Sequence, residues 1–97
     1  MENNKKQTLQ ETLEERKRIY GPYREGCVIR IKLMEVIIKA YLSHHNAFMP
    51  ELYVEYFRDI MNKLSRLAIS PDHKDSWHDI AGYATRIEEF IEEGPKF

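Results

Sequence analysis

Cysteine, glycine and proline are scarce in this chain of 97 residues, and charge of either sign is not in excess. Cys27 is the single cysteine, so the chain forms no intramolecular disulfide and no thiolate zinc site. No apolar run approaches the roughly 20 residues that span a bilayer. The opening MENNKKQTLQ lacks the apolar core of a secretory signal. These absences predict a cytoplasmic protein with no membrane contact. Fifteen basic and 16 acidic side chains leave a net charge of −1. A protein that tracks a duplex along its phosphates needs a basic excess, so extended nucleic-acid contact is disfavoured, whereas a local basic patch is compatible with the composition. There is no glycine-rich phosphate loop, and no serine or cysteine stands in a nucleophile elbow.

What remains is helical. Hydrophobic residues make up 42% of the chain and charged residues 32%, the balance of a folded domain. Thr8-Leu9-Gln10-Glu11 has capping-box spacing and opens a first helix near Leu9, which Gly21-Pro22 stops. A second helix is predicted from about Arg24 to Ser43. Ile29, Leu33, Val36, Ile37, Ala40 and Tyr41 form one apolar face of it, and Val28, Ile31, Met34, Ile38 and Leu42 a second. A helix that is apolar on two sides is central or lies in an interface. Pro50 suits the first turn of a third helix, whose buried face is Tyr53, Tyr56, Phe57, Ile60, Leu64 and Leu67. Ser70 as N-cap, Pro71 and Asp72 would open a fourth helix, with Trp77, Ile80, Ala81, Ala84, Ile87 and Ile91 toward the core. Gly94-Pro95 ends it. The expected architecture is all-α: one domain over residues 1–97, with 1–8 flexible and 94–97 a tail. It is a small four-helix bundle completed by oligomerisation through Val28, Ile31, Met34 and Ile38 or through the opposite face of the second helix.

Chemistry-bearing residues gather between Lys63 and Arg86. Lys63 and Arg66 are one turn apart, so they can grip an anion or brace the helices by pairing with Asp75 or Asp79. Asp75 and Asp79 share a side of the fourth helix with Gly82 and Arg86. As hard oxygen donors they are the only metal candidates, for Mg²⁺, although a position near a helix start already suits them. Tyr83 beside Gly82 is a candidate stacking residue, because glycine lets a ligand or backbone approach. His44, His45, His73 and His78 lack metal-ligand spacing and read as polar loop residues. Cys27 reads as a buried structural thiol.

The blocks Arg16 to Gly21 (RKRIYG), Lys63-Leu64-Ser65-Arg66 and Asp75 to Tyr83 (DSWHDIAGY) resemble a small helical domain of unknown function found mostly in phages and prophages. The pattern is also distantly similar to the MazG-like all-α nucleotide pyrophosphatases, which bind Mg²⁺ through two acidic pairs on successive helices. Asp75 and Asp79 match the second pair but stand four apart instead of three, and Lys63 and Arg66 occupy the place of the first. Two cations where two carboxylates belong repel a metal. The resemblance therefore implies a phage-type binding protein without catalysis or cofactor, acting in an infected or lysogenic bacterium. It would take a nucleotide or nucleotide-derived signal, in a counter-defence role, through Lys63, Arg66, Asp75, Asp79, Tyr83 and Arg86. Two alternatives stand beside it: an active Mg²⁺-dependent pyrophosphatase, in which Glu51, Glu55 or Asp59 supplies the missing carboxylates, and a protein inhibitor of a host enzyme.

Overall fold

The computed structural model describes residues 8–94, and these form four helices joined by short turns, with no strand among them. They are α1 (Leu9–Tyr20), α2 (Tyr23–His45), α3 (Glu51–Ile69) and α4 (Lys74–Glu93). The termini at 1–7 and 95–97, where free segments were expected, lie outside the described residues; Thr8 itself is ordered as a cap. Its hydroxyl accepts the Glu11 N–H at 3.1 Å while the Glu11 carboxylate accepts the Thr8 N–H at 2.8 Å, a complete capping box. The Thr8 backbone N–H first, and its hydroxyl second, hold the Glu11 carboxyl below its ordinary value. Gly21 then ends α1 at φ 81°, ψ 178°, a conformation close to glycine-only. A side chain there would also meet Ile69 at 3.0 Å.

α2 runs further than its sequence suggests, because His44 and His45 complete its last turn instead of opening a loop. Two imidazoles beside the terminal carbonyls suit the helix dipole. Asn46, left-handed at φ 53°, closes the helix by donating its N–H to the Leu42 carbonyl. Pro50 stands just before α3 instead of within its first turn. The larger correction falls at the third joint. Ser70 caps the end of α3 and does not begin α4: its N–H reaches the Arg66 carbonyl and its hydroxyl donates to the Ile19 carbonyl at the end of α1. His73 is the N-cap of α4, with Nδ1 2.9 Å from the Ser76 hydroxyl and its ring edge-on to Tyr20. Pro71 and Asp72 form the turn between.

α3 is the hub. α2 and α4 pack on opposite sides of it without touching each other, and α1 lies across the α2–α3 end. The result is an open helical bundle, nearly a single layer, measuring 59 × 29 × 24 Å. Met34, Met61 and Leu67 are its only buried large apolar side chains among the described residues. Met34, expected at an intermolecular contact, is therefore part of the chain's own core. The α3-facing side of α4 is also rotated from expectation: Ser76 is buried, whereas Trp77 and Ile91 are 52% and 59% exposed. Small Ser76 lets α4 approach α3 closely, and the polar tie between the helices described below fixes that rotation. Trp77 is left on the flank, its indole N–H donated to the Pro71 carbonyl at 2.8 Å.

Candidate functional site

The 3.6-residue turn of α3 divides its polar groups among its neighbours. Lys63 faces α4, where its ammonium lies 2.9 Å from the Asp79 carboxylate. The lysine side chain is 11% exposed and the aspartate 45%, so the pair straddles the edge of the interior. Asp79 is held below the ordinary aspartate value, first by the hydrogen bond from Lys63 and further by the charges of Lys63, His78 and Arg66, against an opposing desolvation. Arg66 points elsewhere: its guanidinium lies over the Tyr20 ring of α1, 4.4 Å from the centroid, in cation–π geometry. Lys63 and Arg66 thus serve different neighbours and do not close on one point.

The fate of the remaining candidates follows from α4. Asp75 and Arg86 are exposed on it and Tyr83 is half-buried. Gly82 looks onto open space, so no element of the chain uses the approach it permits. The pair Asp75 and Asp79 does not fit a magnesium ion. Asp79 is neutralised by an ammonium at 2.9 Å, and no group of three or more acidic, histidine or cysteine side chains able to hold a metal occurs among the described residues.

Arg66 instead belongs to a cleft where α1, α2 and α3 meet, of about 430 Å³. α1 contributes Leu13, Arg16, Lys17 and Tyr20; Pro22, Tyr23, Gly26 and Arg30 come from the turn and α2; Asn62, Ser65 and Arg66 come from α3. Four of these are cations and none is a carboxylate. Arg16, Lys17, Arg30 and Arg66 enter no ion pair among the described residues; the salt bridges there are Arg18–Glu15, Lys39–Glu35, Arg58–Glu55 and Lys63–Asp79. Of the six residues singled out by sequence, Arg66 alone lines this cleft.

The cleft's inner wall is built by close helix approach. Gly26 is buried, and a side chain there would meet the Arg30 guanidinium at 3.4 Å. That leaves Arg30 room to lie between α2 and α3. Its Nη1 points at Asn62 Oδ1 and Ser65 Oγ, both at 3.4 Å, and its Nη2 donates to Cys27 Sγ at 3.1 Å. Ser65 is fully buried and donates its hydroxyl to the Asn62 carbonyl at 2.7 Å. Cys27 is therefore a polar acceptor for a guanidinium, half-buried, and not the apolar thiol its neighbours suggest. Arg16, Lys17, Arg30, Asn62 and Ser65 escape notice in the sequence because they lie in three separate helices. The one signal was the Arg16-Lys17-Arg18 charge run ahead of Tyr20. No helix is long and apolar enough to cross a membrane among the described residues.

Compared with models of known protein families, with characterised proteins and with solved structures, the chain matches none.

Proposed function

We propose that this protein is a non-catalytic binder of a small phosphate-bearing, nucleotide-like ligand, held in the cleft between α1, α2 and α3. The observation that carries the reading is the lining: Arg16, Lys17, Arg30 and Arg66 with no carboxylate among them. Like charges brought together without counter-charges repel, and an anion relieves that repulsion. Guanidinium forks match phosphate oxygens, and Lys17 adds a point charge. Tyr23 supplies a flat exposed face for a base, while Tyr20 holds the Arg66 guanidinium in place, and a volume of about 430 Å³ falls within the size of small-molecule sites. Binding without turnover is favoured because the lining holds no carboxylate or histidine to act as general base, the Cys27 thiol behind it accepts from Arg30, and the buried Ser65 hydroxyl is bonded to a backbone carbonyl. Sequestering a nucleotide signal inside an infected bacterium is the use that the phage-domain resemblance suggests.

A thermal-shift panel of pyrophosphate, nucleoside triphosphates and cyclic or linear oligonucleotides, each with and without Mg²⁺, tests it. A ligand at a hundredfold its Kd stabilises the fold by about 2.7 kcal/mol. The stabilisation should fall in Arg16→Gln/Arg30→Gln, weaken with salt, and persist in Lys63→Met, whose side chain is outside the cleft. A panel without any shift, or a shift lost in Lys63→Met and kept in the double variant, overturns the assignment.

A further inference from the structure

We infer that a second copy of this chain covers the side of the α2–α3–α4 layer opposite the cleft. Residues two apart on a helix point about 200° apart, so Asn62 and Arg66, at the cleft, place Ile60 and Leu64 on the other side of α3. Tyr53 and Phe57 extend that stripe by the same period. On α4 the matching flank is Trp77, Ala81, Ala84 and Ile91, and a shallow apolar groove runs between the two helices, lined by Ile60, Ala84, Ile87 and Ile91 with Glu88 and Glu92 at its rim. α2, antiparallel to α3, turns Val36 toward this side, 66% exposed. Apart from its acidic rim the groove is apolar. Ala81 and Ala84 at its centre leave room for a close-packed helix.

The occupant follows from area. A compact monomer of 11.6 kDa exposes about 5,800 Å², whereas this chain exposes 7942 Å². An excess of roughly 2,000 Å², spread over an elongated chain 59 Å long, leaves ample surface for the roughly 800 Å² that each partner of a stable complex buries. A transient partner would leave that surface in water for part of the protein's life. A second copy is always present in equal amount, carries the same stripe, and closes it by two-fold symmetry. Glu88 and Glu92 stand at the rim, where solvent and salt screen them, and a net charge of only −1 adds little long-range repulsion.

Light scattering on the full chain, combined with acrylamide quenching of Trp77, the single tryptophan, tests the proposal. The expected result is twice the 11.6 kDa mass at tens of micromolar, with Trp77 protected. Ala84→Arg, at an exposed position, should give a helical monomer with Trp77 open to quencher, and Ile31→Arg, on the other flank of α2, should remain a dimer. If Ala84→Arg does not fold, diluting the native chain until it dissociates should expose Trp77 instead. A monomeric native chain overturns the inference. So does a dimer whose Trp77 is freely quenched, or one split by Ile31→Arg and left whole by Ala84→Arg. Flotation of a monomeric native chain with neutral lipid vesicles would replace the second copy with a membrane surface.

Discussion

The Lys63–Asp79 pair shows how one burial difference sets the consequences of mutation. The ammonium is inside and the carboxylate half outside, so losing the aspartate strands a buried charge, whereas losing the lysine leaves an aspartate that water solvates. Asp79→Asn should therefore lower the melting temperature at neutral pH, and Lys63→Met should come close to preserving it. The pH dependence has a definite sign. Because the folded Asp79 is more acidic than in the unfolded chain, its stabilising share is whole above the unfolded value, about 3.9. It is lost as the pH falls through the lower folded value. The gap in melting temperature between native chain and Asp79→Asn, followed by circular dichroism, should narrow below about pH 4. A gap that stays constant down to pH 2 would remove Asp79 as its cause. Gly21 offers a second test at the same scale. Gly21→Ala places a methyl 3.0 Å from Ile69 on a backbone at φ 81°, and the strain alone is of order 1–3 kcal/mol. Urea unfolding should show a loss in that range.

Between helices the packing depends on small residues more than on large ones. Gly26 lets α2 approach α3 at Ser65, and Ser76 does the same for α4. At Gly26 the space is nevertheless sufficient for one carbon, whose nearest neighbour is the movable end of Arg30 at 3.4 Å. Helical glycine costs roughly 0.5–1 kcal/mol relative to alanine, so Gly26→Ala should raise the melting temperature of the unliganded protein. A fall would show that Arg30 has no room to yield. Larger residues at 26 should push α2 outward and open the cleft. The same elements show what sequence reveals. Local signals were readable: the Thr8–Glu11 box and the Gly21-Pro22 stop; across the α3–α4 joint a brace of Lys63 or Arg66 with Asp75 or Asp79 was expected, and the structure selects Lys63 with Asp79. Ser70 was misread because a serine followed by proline fits both a C-cap and an N-cap, and only the Ile19 carbonyl, 51 positions away, decides between them. The rotation of α4 was hidden for a related reason. Trp77 has the hydrophobicity of a core residue, but the rotation is set by Ser76 and by the tie from Asp79 to Lys63.

For the whole molecule, the open layer separates two tasks. The cationic cleft occupies one side at the α1 end, and the unpartnered apolar stripe lies on the other, with the thickness of α3 between them. With only Met34, Met61 and Leu67 buried as large apolar side chains among the described residues, a single copy has a small core. Association should then add to the stability of a marginal monomer, and the melting temperature should rise with protein concentration. On the proposed reading, ligand binding would belong to each copy separately, since every cleft residue comes from one chain. Mutations far apart with no shared partner act additively to within roughly 0.5 kcal/mol. Ala84→Arg should accordingly flatten the concentration dependence while leaving the ligand-induced rise intact. Arg16→Gln/Arg30→Gln should abolish the rise and keep the concentration dependence. Melting curves of the native chain and both variants, taken across a hundredfold range of protein with and without ligand, separate the two effects. If Ala84→Arg loses the ligand response while still folded, the cleft takes its final shape only in the dimer, and the two sides of the layer are coupled through α3.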